Sequence, residues 1–342
     1  MTTAFTTPQR TRALLLLIVS IVWYEAVEIF TTFVTQSLAG SHWYGVVSEG
    51  LRLILLLAGF TGLAYLVARG VNPTPSLGWP RNGETRWQIG TGAAIGWGMA
   101  VALVLFIALA GRGLQTYFDF SLASWMSFLL TLVVTLLGAA VRQTVFAGFP
   151  FRRLVDAAGP SLATILVACF VGFTQGQEMQ GSRMALLTVI LLQVLFCVAA
   201  LRTGSLWLGW ALDVAARTSL GTLFGLPVAG SGKYGSLVLA NSQAPEWISG
   251  GSYGPIASLL APLVVLAGIY FVVRATRTDV IASIRPGGIA VDLEARHAPS
   301  YPGGEPVAAK PAGVSLVQIL PTLSQPPQPD AASRPEAGDG SK

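Results

Sequence analysis

Stretches of about twenty apolar residues recur along most of this 342-residue chain, and no other feature constrains its fold as strongly. A helix rises about 1.5 Å per residue, so each such run can cross a hydrocarbon core of about 30 Å. Inside that core every backbone polar group needs a partner within the protein, which makes helices the spanning element for runs of this length. Composition agrees with this reading: 53% of residues are hydrophobic, 11% are charged and the mean hydropathy is +0.63. Length alone would allow two soluble domains, but the recurrence of the runs overrides it.

The runs fall at 13–35, 51–67, 87–110, 124–154, 161–175, 184–201, 205–223 and 255–273. They predict an all-α polytopic membrane protein, a bundle of about eight transmembrane helices. The first run is too long for a signal-peptide core and has no clear small-residue cleavage site, so it is expected to be retained. Gly90, Gly92, Ala94 and Gly96 suit close helix packing in the third. The fourth is longer than a bilayer requires and is expected to tilt, or to leave the hydrocarbon near Phe149, Pro150 and Phe151. Three divisions follow: two helices and a loop in 1–75, the main transmembrane domain in 76–275, and a Pro-, Ala- and Gly-rich tail in 276–342. That tail is expected to be disordered and cytoplasmic, with the apolar segment 314–320 as its one candidate docking element.

Short loops rich in Lys and Arg stay cytoplasmic, and this sets an expected orientation. Arg10 and Arg12, then Arg69, Arg81 and Arg86, then Arg152 and Arg153, then Arg202, then Arg274, Arg277 and Arg285 fall on alternate connections. Eight crossings with both termini in the cytoplasm place them all on one side. The other side holds Arg112, Arg183 and Lys233, with Arg52 at a helix start. The net charge of +5 therefore reads as a topology signal; the arginines form no patch interleaved with aromatics, so no nucleic-acid partner is expected. Cys169 and Cys197 lie in apolar runs without metal-ligand spacing and read as small buried hydrophobes. His42 and His297 lie outside the runs, leaving no histidine in the membrane for catalysis or zinc, and nothing in the sequence implies a metal or other cofactor.

Against this apolar background a few polar groups stand out, because a charge in a membrane helix needs a partner, a water-filled cavity or a route to the interface. Arg142 and Gln143 lie within the fourth run. Glu25 and Glu28 share one face of the first, and Asp213 and Arg217 are spaced i, i+4 in the seventh. Arg142 lies roughly 18 Å from the cytoplasmic end of its run, Thr174 roughly 20 Å and Asp213 roughly 12 Å from theirs, so three helices present polar residues at mid-membrane.

Several phrases around these residues resemble the CPBP family of intramembrane proteases, which includes CAAX prenyl endopeptidases and abortive-infection relatives. FAGFPFRRL (146–154) is similar to the second half of the family's EExxFRGxLFRRL motif. FVGFT (170–174) matches the frame of FxxxH, and RTGSLWLGWALDVAAR (202–217) the frame of HxxxN with its preceding phrase. FGLPVAG and GGSYGPIASLLAPLVVLAGI resemble the family's last loop and helix, so the likeness covers roughly 77–273. It implies a transmembrane protease scaffold in which a glutamate activates water while His and Asn groups orient it or stabilise the oxyanion.

The catalytic letters differ. The glutamate pair is replaced by Arg142 and Gln143, the motif arginine by Ala147, the two histidines by Thr174 and Asp213, and the asparagine by Arg217. A guanidinium does not deprotonate in proteins and cannot serve as a general base, and a metal site without His or Glu here lacks its ligands. The sequence identifies no catalytic residue. Arg142 reads either as an ion-pair partner of Asp213, Glu25 or Glu28, or as the binding group for a lipid phosphate or a carboxylate. Asp213 and Arg217 can also pair with each other. Thr174 reads as a helix hydroxyl bonded to its own backbone, GSGK (230–233) as a loop rather than a phosphate-binding element, and the prolines of 326–329 as linker.

Three functions follow as expectations. The first is a catalytically degenerate CPBP-like protein whose partners are the lipid bilayer and a membrane-associated or lipidated peptide. The second is an active CAAX-type endopeptidase with a rearranged carboxylate site built from Glu25, Glu28 or Asp213. The third is a small-solute transporter, prompted by the intramembrane charges, although no inverted repeat is evident.

Overall fold

The computed structural model describes residues 7–68, 77–110, 114–176, 182–228, 237–242 and 244–276. The apolar runs form helices α1 (Thr7–Thr35), α2 (Tyr44–Ala68), α3 (Thr85–Ala110), α4 (Leu122–Phe146), α5 (Phe149–Ala158), α6 (Pro160–Gly176), α7 (Arg183–Thr203), α8 (Trp207–Thr218) and α9 (Ala261–Ala275). Five stretches, Arg10–Leu38, Tyr44–Leu66, Thr85–Ala110, Leu122–Ala158 and Arg183–Thr203, are long and apolar enough to cross a membrane; Pro160–Gln175 and Ala261–Ala275 are apolar but shorter. Large apolar side chains such as Ile29, Phe33, Leu109 and Leu122 are exposed on the outside of the helices, as a lipid-facing surface requires. The tail from residue 277 onward, His297, the 230–233 loop and the connections carrying Arg69, Arg112 and Lys233 lie outside the described residues.

The expectation of an all-α fold needs one correction. Strand β1 (Leu114–Phe118) pairs antiparallel with β2 (Val238–Ser242), with Leu114 opposite Ser242 and Phe118 opposite Val238. Strands this short show barely two periods of alternation, too little for a pattern to emerge from sequences read as loops. The last run also differs from expectation. It begins as a 3-10 turn at Pro255–Ala257 and becomes α-helical only from Ala261.

The long fourth run breaks in two, slightly earlier than the prolyl phrase suggested. Ala147 and Gly148 leave helical geometry, and Pro150 sits in the first turn of α5, where its missing N–H costs no hydrogen bond. Gly148 permits the bend: a Cβ there would run into the Thr144 carbonyl.

The most extensive helix pair is α3 on α8. Gly92 and Gly96, four residues apart on one face of α3, let the α8 backbone approach so closely that a Cβ at Gly92 would meet the Leu208 carbonyl and one at Gly96 that of Leu212. Gly90 faces open space and takes no part in this packing. Around the seam lies the main core, including Leu103, Val189, Leu195, Leu208, Leu212 and Val265. A second core joins α1, α2, α4 and α5 through Val27, Leu56, Phe60, Val141 and Phe149, with the Phe60 and Phe149 rings stacked at 5.8 Å.

Polar residues tie the helix ends. Arg202 at the end of α7 donates to Thr276 Oγ1 at 2.6 Å and to the carbonyls of Val273 (3.0 Å) and Thr276 (2.7 Å), clamping the end of α9. Gly204 then adopts φ 64°, and its carbonyl accepts from Arg152 Nη2 at 2.6 Å. The FRRL and RTGSLW phrases thus meet in space. Arg202→Met should loosen α9 by about 1.5–3 kcal/mol, the worth of hydrogen bonds from a charged donor, read as faster amide exchange confined to the last turn of α9.

At the other end of α4, Ser121 caps the helix by accepting from the Ser124 N–H, while Asp119 accepts from the Ser124 hydroxyl at 2.7 Å and the Ser121 N–H at 3.0 Å. These bonds hold the Asp119 carboxyl below its ordinary value, the Ser124 hydroxyl contributing most. A depressed folded-state pKa stabilises the cap fully above the unfolded carboxyl value of about 3.9, and that contribution is lost as pH falls through the folded value. Amide exchange in the first turn of α4 should therefore rise on acidification below about pH 4, and Asp119→Asn should flatten that dependence.

Candidate functional site

Helix α8 is fixed against α3 by the glycine seam, and it carries Asp213 inward with only 4% of the side chain exposed. Arg142 reaches Asp213 from α4: its Nε and Nη2 donate to Oδ2 at 3.0 and 2.8 Å. Arg217, one turn further along α8, donates from Nε to Oδ1 at 2.7 Å. One buried carboxylate is thus shared by two guanidiniums, and both of its oxygens are engaged by cations. A group so held is poorly placed to take a proton from water.

A second cluster lies on α1 and α2. Arg52 donates to Glu28 at 2.6 Å and to Glu49 at 3.0 Å. The sequence pointed to Glu28 but not to Glu49, because α2 begins at Tyr44 rather than near residue 51. Arg52 is accordingly not at a helix start; it faces the bundle from the third turn. The overlooked signal was the i, i+3 spacing of Glu49 and Arg52 just ahead of the apolar run. Glu25, by contrast, is exposed and forms no ion pair among the described residues.

The two clusters come together over Gly138 of α4. A Cβ there would stand 3.4 Å from Arg142 Nη1 and 3.6 Å from Glu49 Oε2, so the missing side chain leaves room for both groups. Beside them opens a cavity of about 280 Å³ lined by Tyr24, Glu28, Glu49, Arg52, Arg142 and Thr174, among others. Behind it lies a chamber of about 30 Å³, sharing Arg142, Phe146 and Gln175 with the first and lined also by Gln143, Ala147 and Arg217. That volume is enough for a water molecule. The Gln143 side chain is 2% exposed, and its Oε1 is buried without a hydrogen-bond partner. A third, mostly apolar void of about 40 Å³ touches Asp213 and Arg217 from the α9 side.

All six positions singled out in the sequence, Arg142, Gln143, Ala147, Thr174, Asp213 and Arg217, line this group of cavities. Of the two glutamates proposed as partners, Glu28 joins them and Glu25 does not. The Thr174 hydroxyl donates to the Val171 carbonyl at 3.1 Å, within its own helix. Cys197 is buried, whereas Cys169 is exposed on α6 rather than packed inside, because the helix turns that residue away from its neighbours. Among the described residues no group of three or more His, Cys, Asp or Glu side chains is placed to hold a metal ion.

Tryptophans brace this arrangement from one end. Trp79 and Trp207 pack edge to face at 4.8 Å, the Trp79 indole donates to Thr144 Oγ1 at 3.2 Å, and Trp210 donates to the Leu136 carbonyl at 3.0 Å. Both bonds land on α4 within two turns of Arg142, fixing the helix that carries it. No family model, curated relative or solved structure matches the chain.

Proposed function

We propose that this chain is an eight-crossing membrane protein on the scaffold of the CPBP intramembrane proteases, which binds a membrane-associated or lipidated peptide without cleaving it. The observation that carries the reading is that all six positions aligned with the family's motifs line adjoining cavities, with Arg142, Asp213 and Arg217 joined in one ion bridge there. Contact between the FRRL and RTGSLW phrases through Arg152 and Gly204 also supports a common scaffold. The alternation of arginines between connections supports cytoplasmic termini, and the composition of 276–342 supports a disordered tail. The cavity admits an end group or a short polar terminus, with the rest of the partner lying along the lipid-facing helices.

The rearranged-protease alternative is disfavoured by the same geometry. It needs carboxylates available beside a solvated cavity, yet Asp213 is held by two guanidiniums, Glu28 and Glu49 by Arg52, and Glu25 stands outside. A transporter would need alternating access, for which no repeat supports a hinge. The binding half of the proposal is tested by fluorescence anisotropy of a labelled farnesylated peptide titrated with the full chain in nanodiscs. Saturable binding that weakens in Thr174→Trp, which fills the cavity, is expected; binding no greater than to empty nanodiscs would refute it.

A further inference from the structure

The geometry points to a ligand class for the 280 Å³ cavity: we infer that it binds a small zwitterion, with a primary ammonium on Glu28 and Glu49 and an oxyanion towards Arg142. This inference stands on the cavity itself and does not require the scaffold or the peptide partner proposed above.

Three observations lead to it. On the α1 and α2 wall two carboxylates share the single guanidinium of Arg52, so that wall holds an excess of one negative charge. Arg142, across Gly138 from Glu49, offsets part of that charge, and a cation with several N–H donors would offset the rest by bonding both carboxylates. From the α4 wall Arg142 brings a guanidinium to the same cavity, and its Nη1 and Glu49 Oε2 both stand beside Gly138. The two poles are therefore a few ångströms apart, the separation of the charges in an amino acid or an ethanolamine phosphate. A ligand carrying one charge would satisfy one wall and be repelled by the other.

Size narrows the class further. Drug-sized ligands occupy pockets of roughly 300–1,000 Å³, so a cavity of about 280 Å³ suits a headgroup or a free amino acid. The same zwitterion chemistry can arrive from the bilayer as an ethanolamine lipid headgroup or from solution as a free solute.

The test uses the full chain in two settings. In nanodiscs of phosphatidylglycerol alone, O-phosphoethanolamine, ethanolamine and inorganic phosphate are titrated by calorimetry. In nanodiscs of phosphatidylethanolamine and phosphatidylglycerol in equal parts, retained lipid is identified by native mass spectrometry. The expected result is either O-phosphoethanolamine binding at least about tenfold tighter than both single-charge probes or preferential retention of phosphatidylethanolamine; the arm that responds identifies the source. Glu49→Gln should weaken the responding arm about tenfold, through loss of one charge-assisted hydrogen bond. If Glu49→Gln fails to fold, Gly138→Ala keeps every charge and places a methyl between the poles without a close clash, and it should weaken the same arm. No zwitterion preference in either arm, or unchanged binding in the folded variants, would overturn the inference.

Discussion

Asp213→Asn should destabilise the folded protein by about 3–5 kcal/mol, because it removes the anion that two guanidiniums share in a buried site. Asp213 is 4% exposed, and its two oxygens take three hydrogen bonds from Arg142 and Arg217. Asparagine keeps the shape but offers one acceptor and no charge, so the two cations would repel each other in a poorly solvated place. Removing all three charges together is a different experiment. Arg142→Met, Asp213→Leu and Arg217→Met combined should cost far less than Asp213→Asn alone and could raise stability by about 1–4 kcal/mol, as buried ion clusters replaced by apolar side chains do. Thermal unfolding of the purified variants in one detergent separates the two outcomes. Glu25→Ala, at an exposed position without an ion pair among the described residues, is the control and should fall within about 0.5 kcal/mol of the parent. Equal effects at residues 25 and 213 would contradict the assignment of Asp213 as the shared anion.

Gly96→Val should cost about 3 kcal/mol or more, at the upper end of overpacking. The obstacle is backbone: a Cβ at Gly96 meets the Leu212 carbonyl, so no side-chain rotation relieves it. The helices α3 and α8 would have to separate. Since Asp213 follows Leu212, separation would also draw the carboxylate away from Arg142, linking a packing change to the polar site. Gly98 lies on the same helix with nothing within 4 Å of its would-be Cβ, so Gly98→Ala should be neutral or stabilising by up to about 1 kcal/mol, the helix-propensity difference. Unfolding midpoints of the two variants test this directly, and comparable losses at 96 and 98 would show that the close approach at Gly96 is not what holds the pair.

What the sequence revealed and what it hid follow from the range of the forces involved. Apolar runs are local and long, so α3 and α7 lie close to the stretches read from them, whereas α2 begins well ahead of its run and α4 ends well short of its own. The Gly92 and Gly96 seam was visible as a small-residue stripe, but not that Gly90 faces open space, which depends on where α8 docks. The i, i+4 spacing made the Asp213 and Arg217 pair accessible, whereas the reach of Arg142 across 71 residues to the same carboxylate was one choice among three. Glu49 was missed because charged residues just ahead of an apolar run can belong either to a loop or to the helix, and only packing against α4 decides it. The β1 and β2 pairing joins segments more than a hundred residues apart, each too short to announce itself. Pro150 marked where the fourth run could change character, but the break lies two to three residues earlier because the backbone turn at Ala147 and Gly148 needs only a single glycine amid apolar neighbours.

The most direct measurement is mass spectrometry of a farnesylated C-terminal peptide and a transmembrane peptide after incubation with the full chain in nanodiscs. With Asp213 locked between Arg142 and Arg217, both peptides should remain intact to the level of an empty-nanodisc control. Cleavage products that disappear in Asp213→Ala or Glu25→Ala would contradict the non-cleaving reading and restore a carboxylate to a catalytic role.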